Sequence, residues 1–425
     1  MVEVLLRRGD LNPDKAGHHG QTPLWCAAQN GHQGVVKILL GRGDVDPEKP
    51  DNDGLTPLLC ASWNGHEEVV KVLLTRGDVN PDKSDNYGRT PLWCTAENGH
   101  ERVVKILLGR DDVDPNKSNN NGRTPLYCAA QNGHEGVVKM LLGRDDVDPD
   151  KPTNEHRTPL WCAAMNGDKG VVKALLGRRE VNPNGAGRYG PTPLWCAAQN
   201  GYEGVAEILL QRGDINPDKP CQDGRTPLWY AAQGGHEGVV GILLKRSDVD
   251  PNKSDNHGQT PLGCAAWNGS EGIVEMLLGR GDINPDKPSD GRTPLWYAAE
   301  GGHGGVVWML LGRSDINPNI PDNHGQTPLF CAAWSGNEEI VEMLLAQSDI
   351  SPDEPNDDGR TPLWCAAHGG HVRVAMRLLR RRGIDPNKPD NRGITPLGCA
   401  ESRGHRRMVE KLRSWGITGH PRGTT

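Results

Sequence analysis

A cysteine followed six residues later by a histidine recurs along this chain, as Cys26 and His32, Cys60 and His66, Cys94 and His100, Cys128 and His134, Cys365 and His371, and Cys399 and His405. A thiol beside an imidazole could make an activated nucleophile or half of a zinc site. The surrounding letters argue against both. No second Cys or His stands at ligand spacing within any one stretch, and no third group is placed to orient the base. Asp168, Tyr202, Ser270 and Asn337 replace the histidine in other copies, and Tyr230 and Tyr297 replace the cysteine, swaps that a working site would not survive. Ten of the eleven cysteines share one position in the recurring phrase. If the copies are stacked helix pairs, equivalent atoms lie roughly 10 Å apart, beyond the Cα separation of about 7 Å that a disulfide tolerates. The column is therefore read as reduced, half-buried packing, which suits the cytosol. The expectation is no catalytic residue, no metal and no cofactor.

Other chemistry-bearing strings fare no better. Arg-Gly-Asp occurs at 8–10, 42–44, 76–78, 212–214 and 280–282, but Arg-Ser-Asp and Arg-Asp-Asp fill the same place elsewhere. It reads as a helix end, with Arg on the negative pole of the helix dipole and Gly as terminator. Asn-Lys-Ser at Asn116 and Asn252 fits a glycosylation acceptor only in a secreted chain. The Asp-rich turns lack the alternating ligands and closing Glu of a calcium loop and read as solvated turns.

Composition narrows the class further. Of 425 residues, 35% are hydrophobic and one is Phe, too little apolar matter for a thick core. The net charge is −7, which lacks the basic footprint of a general nucleic-acid binder. It is unevenly spread: from His368 onward 13 Lys or Arg face 4 Asp or Glu, a net of +9 that leaves −16 for the rest. No apolar run follows a basic start as in a signal peptide, and none approaches the length of a membrane span. The chain reads as cytoplasmic, with no membrane partner and no small-molecule substrate.

The elements that hold these letters follow from a period. The threonine of Thr-Pro-Leu falls at 22, 56, 90, 124, 158, 192, 226, 260, 293, 327, 361 and 395, at intervals of 34 with a single 33. Thr22 is a good N-cap and Pro23 fits the first helical position, so "PLWCAAQN" predicts a helix of two turns ended by Gly31. "QGVVKILL" predicts a second short helix with Val35, Val36, Leu39 and Leu40 on one face. "GRGDVDPEKPDNDG" is turn chemistry. Helices this short are marginal alone, so the units must stack.

"DNDGLTPLLCASWNGHEEVVKVLLTRGDVN", residues 51–80, resembles the ankyrin repeat, and the likeness runs from residue 1 to about 417. It departs from the family pattern in the slot after Thr-Pro-Leu, in the "RGDVDP" segment and in a turn one residue longer than usual. The resemblance implies an all-α ankyrin-repeat solenoid of helix-turn-helix units joined by β-hairpin-like turns, roughly 120 Å long at about 10 Å per unit. Residues 1–17 read as a partial repeat with only its second helix and turn, as if the chain were a piece of a longer protein. Residues 18–425 read as twelve repeats, the last from about 391 forming a C-terminal cap with Arg406, Arg407, Lys411 and Arg413 on its outer face, and 418–425 as a short tail. His156 stands where other turns carry Gly and is expected at positive φ; Pro191 and the short turn before Thr293 are further irregularities.

Binding should sit where copies diverge on an exposed face, which the resemblance places on the concave surface. The slot after the alanines carries Trp63, Met165, Trp267 and Trp334; the slot before the threonine carries Arg89, Arg123, Arg157, Arg225, Arg292 and Arg360; Tyr87 lies at a hairpin tip. Trp and Arg are enriched in binding hot spots. The three tryptophans are expected to be exposed, whereas the arginines could either meet a partner or brace their own turns. Trp25, Trp93, Trp161, Trp195, Trp229, Trp296 and Trp364, after Thr-Pro-Leu, are read as packing between units. The function expected is non-enzymatic recognition of a protein or peptide. The alternatives are the sensor array of a fungal nucleotide-binding switch protein, whose phosphate loop would lie outside this sequence, and a passive assembly spacer. A nucleic-acid role would rest on the basic C-terminal segment alone.

Overall fold

The computed structural model describes residues 12–417; the leading half-repeat's helix and the tail from 418 lie outside them. Among the described residues the 24 regular elements are all helices of seven to nine residues, alternating as first and second members of pairs from Pro23–Gln29 with Gln33–Leu40 to Pro396–Ser402 with Arg406–Ser414. By packing they divide into two compact bodies, Met1–Ala197 with Gly204–Asn216, and Ala198–Glu203 with Pro217–Thr425. Each is a stack of helix pairs.

The local cause of each first helix is the one expected. Thr22 Oγ1 accepts from the Trp25 amide at 3.1 Å, and Pro23 needs no partner at the first position. The helix stops because Gly31 turns left-handed at φ 70°. Glycine is demanded there twice over, since a Cβ would meet the ring of His66, from the following unit, at 2.8 Å. First helices are buried almost all round: in Pro125–Gln131 every residue from Pro125 to Ala130 is buried. Second helices bury one stripe, as Val103, Val104 and Leu107 do in Glu101–Leu108. Within each body first helices pack on first helices and second on second, so the core is one thin sheet of Leu, Val, Ala and Cys.

Polar groups then tie each unit to its neighbour. The indole of Trp25 donates to Leu55 O at 3.0 Å, Trp93 to Arg123 O at 2.9 Å, Trp296 to Gln326 O at 2.9 Å and Trp364 to Ile394 O at 3.1 Å. The tryptophans after Thr-Pro-Leu are thus ties as well as packing. The histidine before each second helix makes no capping bond from its side chain. Its Nε2 reaches back to the preceding unit instead, as His66 to Gln29 O at 2.8 Å and His100 to Trp63 O at 2.9 Å. The Arg of Arg-Gly-Asp does the same: Arg280 grips Asp282 at 2.9 and 2.7 Å and donates to Leu244 O at 2.9 Å. Here the sequence reading is corrected. The glycine of that tripeptide does not end the helix; Gly279 does, right-handed at φ −69°.

The Asp-rich turns are not merely solvated. One turn position alternates Asp and Asn along the chain, as Asp82, Asn116, Asp150, Asn184, Asp218, Asn252, Asp286, Asn319 and Asp353. Asn116 Oδ1 accepts from the Asp148 amide at 2.8 Å while its Nδ2 donates to Asp146 O at 2.6 Å. Asn252 repeats both bonds with Asn284 and Asp282, each at 2.7 Å. Asp82 and Asp150 keep only the accepting half, from Asp114 at 2.7 Å and Asn182 at 2.8 Å. Their Oδ1 atoms are buried without a hydrogen-bond partner. Burial accordingly pushes both carboxyls above the ordinary range. The amide of Asp114 and Lys117 oppose this at Asp82, while Asp112 and Asp114 add to it; the Asn182 amide and Arg212 oppose it at Asp150, while Asp148 and Glu180 add to it.

The irregular turns behave as their residues require. His156 takes φ 62°, as expected. The short turn closes as a two-residue hairpin, Ser289 N to Arg292 O at 3.0 Å and back at 2.8 Å, with Asp290 and Gly291 both at positive φ. Pro191 has no N–H, and Gly187 opposite it offers no side-chain acceptor, where elsewhere Asp85 Oδ1 accepts from the Arg89 amide at 2.8 Å.

Two outcomes follow. Leu209 is fully buried, unlike half-buried Leu210, so Leu209→Ala should cost about 2–5 kcal/mol in denaturant melts, with hydrogen exchange rising mainly in adjacent units. Asp82→Asn with Asp150→Asn should restore the missing donors and raise stability at pH 7 by about 1 kcal/mol each. Because the folded carboxyls titrate above their unfolded value, the gain should shrink as pH falls and vanish below about 4. Thermal melts across pH check both limits.

Candidate functional site

The divergent residues gather where the end of each first helix meets the base of the hairpins. The six arginines of the slot before the threonine lie on aromatic rings. Arg157 stands over Trp161 at 4.9 Å, Arg225 over Trp229 at 4.4 Å, Arg292 over Trp296 at 4.4 Å, Arg360 over Trp364 at 4.7 Å and Arg123 over Tyr127 at 5.8 Å. The cap threonine and helix start put Arg and Trp four residues apart, and the ring's negative face holds the guanidinium. Carboxylates brace most of them as well: Arg157 to Glu155 at 3.1 Å, Arg360 to Asp358 at 3.0 Å, Arg225 to Asp255 at 3.4 Å and Arg292 to Asp322 at 3.8 Å. Bracing of the turns and partial exposure are thus both present in this column.

Arg89 departs from the pattern. Its hairpin carries Asp85, whose buried carboxylate holds Arg89 Nε at 2.6 Å. The guanidinium is drawn from its own Trp93 to lie 4.9 Å from the ring centres of both Trp63 and Tyr87. This overturns one expectation: Trp63 is half-buried beneath Arg89. Trp267 and Trp334 are exposed as expected, at 49% and 47%, and Tyr87 is exposed at its tip while Met165 is half-buried.

Each of the three tryptophans walls a cavity of one design. That of Trp267, about 350 Å³, is lined by Gln233, Gln259 and Arg292. That of Trp334, about 170 Å³, has Glu300, Gln326 and Arg360 in the same places. That of Trp63, about 280 Å³, has Gln29, Leu55 and Arg89. The glutamines and Glu300 were not singled out from the sequence, although they occupy the same two divergent columns. Nor was His368, stacked between Trp334 at 4.9 Å and Trp364 at 5.2 Å. Arg403 donates to its Nε2, and burial first, then Arg403 and Arg360, holds His368 below the usual imidazole range. Trp308, 70% exposed on a second helix, was also missed; it stands where Lys37, Lys71 and Lys105 stand in other units.

Nine of the ten column cysteines are buried rather than half-buried, and all eleven are free thiols. Burial pushes the Cys162 thiol up to about 11 and raises those of Cys94, Cys128, Cys196 and Cys365 well above the ordinary thiol range. The slot lies in first helices that are buried nearly all round, as in Pro125–Gln131, and that pack on the first helices of neighbouring units. Among the described residues no three His, Cys, Asp or Glu side chains converge on a metal-sized site, and no helix is long and apolar enough to cross a membrane.

A family model described as ankyrin repeats, three copies to a model, matches residues 1–84, 77–153, 145–219, 213–288, 281–356 and 348–420, and the chain belongs to the ankyrin-repeat family. The stacked helix pairs are its all-α solenoid fold. Ankyrin repeats generally mediate protein–protein interaction and are typically non-enzymatic scaffolds. No curated protein matches the sequence significantly.

Thiol burial can be checked directly. Iodoacetamide at pH 8 should label Cys26, which is exposed, and Cys221, which is half-buried, well before the nine buried column cysteines. Peptide mass spectrometry after short exposure, against a fully denatured control in which all eleven react, reads the difference.

Proposed function

We propose that this chain is a non-enzymatic recognition scaffold that binds a partner protein or peptide along the concave face formed by first-helix ends and hairpin bases. One observation carries the reading. The letters shared by all units are buried or bonded to a neighbouring unit, while those that differ, Trp267 and Trp334 above all, stay exposed beside polar-lined cavities. Arg123, Arg157, Arg225, Arg292 and Arg360, with Tyr87 and Met165, extend that face, as does half-buried Trp63 under Arg89. Large aromatic and guanidinium groups that need no reordering are the residue types that dominate binding energy.

The last unit is proposed to act as the C-terminal cap. Arg406, Arg407, Lys411 and Arg413 are exposed on a helix whose Met408 and Leu412 are buried, as a polar outer face requires. Buried reduced thiols support a cytoplasmic setting. The near-identity of the units favours, as a second reading, the sensor array of a larger fungal-type switch protein; its partner would meet the same face.

Affinity capture from a native lysate should recover a partner that is lost with Trp267→Ala/Trp334→Ala, while the thermal midpoint stays within about 2 °C because both rings are half-exposed. Equal capture by wild type and variant would leave a passive spacer as the better reading.

A further inference from the structure

The three Trp-walled cavities differ in what fills them. Arg89 lies on the ring of the one at Trp63, its guanidinium 4.9 Å from that ring and held by Asp85. Arg292 and Arg360 have Ser289 and Asn356 at the hairpin position that Asp85 holds, and each rests over its own Trp296 or Trp364 instead. Trp267 and Trp334 are thereby left about half exposed. Trp267 meets Tyr297 edge-on at 5.4 Å, and Trp334 has His368 stacked on one face; among the described residues no guanidinium lies over either ring. The chain itself shows which group this cavity accepts: a planar cation laid on an indole, the arrangement that an electron-rich ring face favours.

The geometry points to arginine side chains of a partner protein as the occupants of the Trp267 and Trp334 cavities, two on one extended segment. This rests on the recognition reading and names its ligand chemistry. Charge agrees with it most directly at Trp334. The residues before His368 carry a net −16, and Glu300 and Asp358 line the Trp334 cavity, Asp358 shared with Arg360 at 3.0 Å. The Trp267 cavity is lined by Arg292 and no carboxylate, and Asp322 stands 3.8 Å from that arginine. Spacing sets the register. The two rings are two units apart, roughly 20 Å at about 10 Å per unit, which an extended strand spans in about six residues.

The test uses the full chain and fluorescein-labelled Gly-Ser peptides that carry two arginines about six residues apart, two about three apart, one arginine, or two glutamates about six apart. Fluorescence anisotropy at physiological ionic strength should show the wide arginine pair binding at least about tenfold tighter than the single arginine, through the gain in effective concentration. Trp267→Ala and Trp334→Ala should each reduce it to the single-arginine level, whereas Trp308→Ala, which removes a more exposed ring on a second helix, should leave it unchanged. Arg89→Ala should uncover Trp63 and add a further weak site. Failure to saturate at millimolar peptide, indifference to spacing, or equal binding of the glutamate pair overturns the inference. Self-association in sedimentation that is abolished by Trp267→Ala would make a second copy of this chain the occupant and would overturn it too. A partner captured through Trp267 and Trp334 alongside failure of the arginine peptides would sink this inference and leave the broader recognition reading standing.

Discussion

Everything in this structure rests on helices too short to stand alone. Two turns of helix cannot repay the entropy of their own nucleation in water, so each pair exists only because its neighbours bury it and accept its polar groups. The apolar part of that dependence is the run of Leu, Ala and Cys in first helices whose sides are nearly all covered. The polar part is directional: a Trp indole donates to the following unit, and a His or Arg side chain reaches a carbonyl of the preceding one. A unit removed from the stack would lose both at once.

That constraint fixes where function can sit. A residue that closes the joint between units cannot also vary to suit a partner, so the variable positions are pushed to the rims, at first-helix ends, hairpin bases and the outer stripe of second helices. The cysteine–histidine phrase illustrates the division. Its substitutions already argued against chemistry in the sequence, and in the fold burial raises the pKa of the buried column thiols while histidine Nε2 atoms meet backbone carbonyls of the preceding unit. The arginine column lies at the boundary between the two roles. Its members are anchored on rings and by carboxylates, yet enough of each guanidinium remains at the surface to shape the cavities beside Trp267 and Trp334.

Small differences between units carry large consequences because the frame is so regular. Asp85 draws Arg89 from its own ring to that of the preceding unit and covers a tryptophan that stays exposed elsewhere. From Asp82 to Asp353 the alternation of Asp and Asn sets the ladder carboxylates two units apart, and Asp82 and Asp150 lack the Nδ2 donor that Asn116 and Asn252 contribute at the same position. A deletion of one residue is absorbed by changing the hairpin type at Ser289–Arg292, with no loss of the Trp296 tie to the next unit.

Sequence alone determined the helix pairs, their boundaries at Thr, Pro and Gly, the burial of the Leu and Val stripes and the positive φ of His156, because these follow from backbone sterics and local periodicity that repeat every 34 residues. It also singled out the two divergent columns whose residues line the cavities. What it left open were contacts whose partners lie about one unit away along the chain: the indole and histidine ties, the second bond of each turn Asn, the stacking of His368 and the choice each arginine makes between rings. Those depend on which side chain arrives from the neighbouring unit and on what it already holds, as Arg89 and Trp63 show. Register between units, which only the folded stack sets, decided them.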